Sequence, residues 1–225
     1  MNLVNYGIRS INGDGCPDIH WDNPIWQKAE SLELANFRPE GSSHRPRTRA
    51  KLLHSETGIH GIFCVEDRYV RSTRTEYMEP VYRDSCVEFF VQPKRDQGYF
   101  NFEFNCGGAM LATQVLDPER TPDGIRKKRI FPEGIWNTVE IQSSMPKTVL
   151  PEITDPVTWS LRFFIPFRVF EFFVGPLGPV SGQEWRANFY KCAEESSHPH
   201  WVSWSPVDEL NFHRPQCFGN LQFVK

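Results

Sequence analysis

The feature that most constrains this chain is alternation. Val87, Phe89 and Val91 alternate with Glu88, Phe90 and Gln92, while Phe100, Phe102 and Phe104 alternate with Asn101, Glu103 and Asn105. Trp185, Ala187 and Phe189 do the same with Arg186, Asn188 and Tyr190, and further apolar rows run through 59–67 and from Trp159 to Ile165. A period of two is the signature of a strand with one face in a core. Turn residues punctuate the rows at Gln97-Gly98, Pro122-Asp123-Gly124 and 175–182. Residues 37–50, rich in Pro, Ser and Arg, read as a loop, and Leu221–Val224 as the final strand. Helical spacing is confined to a segment from Pro24, with Trp26 and Ala29 on one face, and to Phe167–Phe173 behind Pro166. The pattern predicts an all-β chain, a sandwich of two antiparallel sheets with one or two short helices. Its 225 residues suit one domain spanning 1–225.

Charge narrows the partners. A net charge of −3 argues against nucleic acid or an anionic membrane as ligand. The basic runs at 44–49 and Arg126-Lys127-Lys128-Arg129 sit among turn residues and read as solvated loop charge. Six widely spaced cysteines form no C-x-x-C, which removes zinc-ribbon and thioredoxin chemistry. Several fall in strand-like segments, where a free thiol behaves as a small hydrophobe. The first residues lack a basic stretch followed by an apolar one, and no run is long enough to span a bilayer. A cytoplasmic protein is expected, or a secreted one if a signal peptide once preceded it.

The second face of the strands carries the functional signal. Glu88, then Glu103 and Asn105, then Arg186, Asn188 and Tyr190 project from the sides of their strands that the phenylalanines leave. On neighbouring strands these rows would merge into one surface of carboxylates, amides, a guanidinium and a phenol. Sugar hydroxyls both donate and accept, so such a mixture suits a carbohydrate. Aromatic rings are needed to cover the C–H faces of a pyranose. Candidates stand in loops: Tyr82 beside Arg83, then Trp201, Trp204, Phe212 and His213. Trp26, Trp159 and Trp204 are read as core residues.

A chain of motifs runs in order from about residue 12 to 224. Arg83-Asp84-Ser85-Cys86-Val87-Glu88-Phe89, Phe102-Glu103-Phe104-Asn105, Trp159 to Pro166, Val202-Ser203-Trp204-Ser205 and Phe218-Gly219-Asn220-Leu221 occupy this span, opened by Asp14-Gly15 with Trp26 and Ala29. The set resembles carbohydrate-binding module family 9. The resemblance implies a non-catalytic sandwich that holds a sugar between two tryptophans. Here the first of those positions falls near Val81 or Tyr82 and the second near Phe212, and an arginine of the family's pattern is replaced by Glu103. The family fold is expected, with Tyr82 and Phe212 stacking on a sugar and Arg83, Glu88, Glu103, Asn105, Arg186, Asn188, Tyr190 and His213 around it.

Other readings stay open. Glu88 and Glu103 could serve as the two carboxylates of a glycosidase. His198-Pro199-His200 with His213 has the look of a metal set, and Met78 and Met110 are the candidate axial ligands if the fold carried haem. Structural calcium, as the resemblance implies, would draw on Asp14, Asp18, Glu66 and Asp67. No other cofactor is expected. A protein-interaction module, or a site that has decayed, is the remaining alternative.

Overall fold

A computed structural model describes residues 4–11 and 17–224. The first part of the chain forms β1 (Asn5–Ser10), β2 (Leu32–Leu34), β3 (Asn36–Phe37), β4 (Arg47–His54), β5 (Gly58–Asp67) and β6 (Val70–Ser72). The middle supplies β7 (Cys86–Gln92), β8 (Tyr99–Asn105), β9 (Met110–Thr121) and β10 (Gly124–Ile130). After α1 (Glu133–Trp136) come β11 (Glu140–Ser143), β12 (Val149–Ile153) and β13 (Val157–Pro166). Pro166 then opens α2 (Phe167–Val174), followed by β14 (Glu184–Cys192), β15 (Trp201–Ser203) and β16 (Gly219–Val224). The segment behind Pro24 contains a single 3₁₀ turn, Trp26–Lys28.

The chain is all-β, but the expected pair of separate antiparallel sheets is replaced by one continuous mixed sheet. Its strands follow the order β10-β9-β8-β7-β14-β16-β1-β4-β5-β13-β11, and β6 and β12 form a small second sheet. The joint is β1, which pairs in parallel with both β16 and β4. Pairing on both sides leaves β1 no open edge. Alternation reveals which face of a strand is apolar; it carries nothing about partner or direction.

The long sheet folds over on itself. Phe163 on β13 stacks with Phe89 on β7 at 5.7 Å and Phe104 on β8 at 5.3 Å, and Phe63 on β5 meets Phe189 on β14 at 6.2 Å. These strands are remote along the ladder, so their rings touch only because the inner faces oppose each other. Gly61 makes room for this contact: a Cβ there would sit 2.1 Å from the Phe163 ring. α2 closes one side of the core, with Phe170 against Phe100 at 5.1 Å and Trp185 at 5.5 Å. Trp26, Trp159 and Trp204 are all buried.

The second basic run, and the latter half of the first, lie in strands rather than in loops. Arg47 to Arg49 begin β4, and Arg126 to Arg129 lie in β10, at the edge of the sheet. Lys and Arg along an exposed edge discourage a second chain from pairing there. Because β10 buries neither face, it shows no alternation to read.

Candidate functional site

The registers of β14, β7, β8 and β9 turn the sequence's polar rows into a lattice. One row runs Tyr190–Glu88–Glu103–Leu111, and the next runs Asn188–Phe90–Asn101–Thr113. On the other side of the first row, Cys192 faces Cys86, which faces Asn105. Side chains two apart on a strand share a face, so all of these lie opposite the phenylalanine core. That face is not open to solvent throughout. Val207, Phe212 and Phe218, from the segment between β15 and β16, pack onto it with Phe90, Tyr99 and Tyr190.

Where this cover stops, a cavity of about 580 Å³ remains, a size suited to a small ligand. Glu88, Phe90, Asn101, Glu103, Thr113 and Cys192 form its floor. Its walls are aromatic and polar: Tyr82 from the turn before β7, Trp201 on β15, Phe212 and His213, and Arg120, Ile125 and Lys128 from the β9–β10 hairpin. Phe212 is fixed from beneath by Tyr190, whose ring stacks on it at 4.0 Å and whose hydroxyl donates to its carbonyl at 3.0 Å. His213 is held by the Tyr99 hydroxyl, 2.6 Å from Nδ1. Trp201 Nε1 donates to Glu194 at 3.4 Å.

The floor is acidic and buried. Thr113 donates to Asn101 Oδ1 through both its amide and its hydroxyl, which aims the Asn101 amide nitrogen at Glu103 Oε1, 2.8 Å away. Glu103 Oε2 is buried and meets no hydrogen-bond partner among the described residues. Burial pushes the Glu103 carboxyl up to about 7, against the opposing pull of the Asn101 hydrogen bond and of Arg120. Burial also drives Glu88 well above the usual carboxylate range, and repulsion from Cys192 and Glu103 adds to it. His213 is pushed down to about 3, first by burial and then by Arg120 and Lys128, so its ring is neutral.

Of the sugar-site candidates singled out from the sequence, Tyr82, Glu88, Glu103, Trp201, Phe212 and His213 line this cavity, and Tyr190 supports it from below. The remaining polar candidates lie elsewhere. Asn105 is buried under the preceding loop, donating to Asp84 at 3.0 Å and the Arg74 carbonyl at 2.7 Å and accepting from the Ala109 amide. Asn188 is spent on the Ser205 backbone at 2.9 and 2.8 Å. Arg186 reaches the carbonyls of Phe218 and Gly219, and Arg83 pairs with Glu195 at 3.3 Å. Asn101, on the polar row of β8, and Trp201, among the loop aromatics, were visible in the sequence. The wall of Arg120, Ile125 and Lys128 was not, because the hairpin that carries it has no periodic signal.

The metal candidates do not converge. His213 stands at the cavity, His200 hydrogen-bonds to Lys191 at 2.7 Å, and His198 stacks on Tyr69 at 3.6 Å. Among the calcium candidates, Glu66 pairs with Arg47 and Arg49, Asp67 with His44 and Lys191, and Asp18 accepts from the His20 amide. These oxygens are engaged by protein donors and do not fit a shared cation cage; Asp14 lies outside the described residues. Met110 is in the core while Met78 lines the cavity. No helix among the described residues is long and apolar enough to cross a membrane.

The sequence profile of carbohydrate-binding family 9 matches residues 24–223. The chain belongs to carbohydrate-binding family 9. A Bacteroides uniformis protein, described provisionally as carbohydrate-binding, superposes with a TM-score of 0.85 at 26% identity, over 99% of this chain and 100% of that one. A family 9 module from Caldicellulosiruptor kristjanssonii in complex with cellotriose gives a TM-score of 0.64 at 11% identity, covering 98% and 94%. The same organism's module with glucose gives 0.63 at 12%, covering 96% and 95%. At that identity these two bear on the fold alone. No curated protein matches the chain.

Proposed function

We propose that the whole chain is one non-catalytic carbohydrate-binding module that holds a mono- or oligosaccharide in the cavity over β7, β8, β9 and β14. The observation that carries this reading is Glu103 Oε2, a buried oxygen without a partner among the described residues at the floor of an aromatic-walled hollow. A buried polar atom left unpaired is destabilising by about 1–3 kcal/mol, and a sugar hydroxyl would satisfy it. Tyr82, Trp201 and Phe212 offer ring faces for the C–H side of a pyranose, and Glu88 and Asn101 offer further polar contacts. Family membership and the ligands of the Caldicellulosiruptor modules support the same reading.

Catalysis is not part of this proposal. A glycosidase needs its two carboxyl groups on either side of the scissile bond. Glu88 and Glu103 are direct cross-strand neighbours projecting from the same floor, so a ring resting on that floor has both on one side. Chromogenic glycosides should release no product. A glycan-array screen followed by calorimetric titration tests the binding itself. Trp201→Ala and Phe212→Ala should each weaken affinity about tenfold or more, and Glu103→Ala should do so comparably. If all three variants fold and bind the selected sugar like the parent, the cavity is not the binding site.

A further inference from the structure

At one edge of the cavity floor Glu88 and Cys192 meet a third buried side chain, Cys86, and the sugar reading gives the two thiols no role. Cys86 and Glu88 are two apart on β7 and share a face, and the register sets Cys192 directly across from Cys86. The two sulfurs and a Glu88 oxygen all lie within 4.8 Å of one another, and Cys192 Sγ is 3.2 Å from Glu88 Oε1. All three residues are buried. From this geometry we infer that Cys86, Cys192 and Glu88 form a binding site for a zinc-class divalent cation, with one coordination position facing the cavity.

Several features of the arrangement favour a cation over mere packing. In tetrahedral zinc sites with sulfur at about 2.3 Å and oxygen at about 2.0 Å, donors stand about 3.3–3.8 Å apart. The present separations need only small side-chain rotations to reach that. Two thiolates and one carboxylate select zinc over calcium or magnesium, which prefer all-oxygen shells. Glu88 and Cys192 line the cavity while Cys86 does not, so the protein closes the site from one side and leaves the other to water or a ligand hydroxyl. Three protein ligands with an open position is the pattern of accessible zinc sites.

The Cys192 thiol donates to Glu88 Oε1 at 3.2 Å, a proton position that a cation between the two ligands would take over. The basic side chains on the cavity wall, Arg120 and Lys128, belong to the exposed hairpin. A divalent cation would displace the protons of the three ligands and neutralise them where they stand. Glu103, across from Glu88 with a free buried oxygen, is placed to accept a hydrogen bond from a metal-bound water.

This inference does not rest on the sugar reading, and its test needs no sugar. Reduced, chelator-treated protein would be titrated with Co²⁺, followed by absorption and by metal content after desalting. The expected result is one equivalent bound, with a thiolate-to-cobalt charge-transfer band and the visible bands of a tetrahedral centre. Zn²⁺ should bleach them by competition. Cys86→Ser, Cys192→Ser and Glu88→Ala should each lower cobalt affinity by more than about a hundredfold, whereas Cys64→Ser and Cys217→Ser should not. The wild-type titration decides the matter even if a variant fails to fold. Absence of a thiolate band in reduced wild-type protein overturns the proposal, as does a band that survives both Cys86→Ser and Cys192→Ser. Sugar titration in the presence of chelator reports separately on the carbohydrate site.

Discussion

At the scale of single residues, face and use separate. Asn105 shares its side of β8 with Glu103, yet it ties the loop carrying Tyr82 to the sheet through Asp84, Arg74 and Ala109. Asn105→Ala removes a buried amide and leaves Asp84 one donor short. It should destabilise the protein by about 2–3 kcal/mol in urea denaturation, with no loss of sugar affinity at temperatures where it remains folded. An affinity loss as large as that of Glu103→Ala would place Asn105 at the ligand after all. The sequence identified Glu88, Glu103, Tyr82, Phe212 and His213 because polar residues on an alternating strand and aromatics at strand ends are readable from spacing. It could not separate them from Asn105, Asn188 and Arg186. Their partners are mostly backbone atoms remote in sequence, with the Asp84 carboxylate added for Asn105, and no spacing rule announces those.

Between residue and molecule, the β9–β10 hairpin is the element whose role is most separable. Its outer part is exposed and touches little of the core, but Arg120, Ile125 and Lys128 wall the cavity. Replacing residues 119–125 by a two-residue turn should leave the melting temperature within a few degrees and lower sugar affinity about tenfold. Calorimetry and thermal melts on the same variant check both halves of that expectation. By contrast β5 is buried along almost all of its length. Gly61→Ala drives a Cβ into the Phe163 ring, and the overpacking should destabilise by about 1–3 kcal/mol or more. The strands with one apolar face were legible from period two alone. β10 and the cover between β15 and β16 were not, since one is exposed on both faces and the other is irregular.

Over the whole molecule, acid lability is written into buried rings. Burial lowers His60 to about 4, and His200 and His213 to about 3. Burial alone would raise Asp67, but Lys191 and the His44 hydrogen bond overcome it and hold that carboxylate low. A histidine depressed on folding gives its full stability above the unfolded value near 6.5 and loses it as pH falls toward the folded value. Each fully buried ring therefore accounts for about 2 kcal/mol between pH 6.5 and 5. The raised carboxyls of Glu88 and Glu103 run in the opposite direction, so the test is a difference between variants. His60→Phe keeps the ring contact with Phe164 at 4.5 Å and removes the unpartnered Nδ1. It also gives up the Nε2 contact with Ser55 Oγ at 3.3 Å, so the expected signal is the trend: stability relative to wild type should rise by about 2 kcal/mol from pH 7.5 to pH 5, and a difference independent of pH in thermal melts would refute the assignment. The placement of β1 has a consequence during synthesis. Asn5 and Asn220 are 215 positions apart in the chain yet hydrogen-bond at 3.0 Å, with β1 wedged between β16 and β4. Until the ribosome releases β16, β1 and β14 each keep an unfilled edge. Such distant closure slows folding and leaves a nascent chain sticky, so this protein should lean on chaperones more than a chain of equal size whose neighbouring strands follow one another.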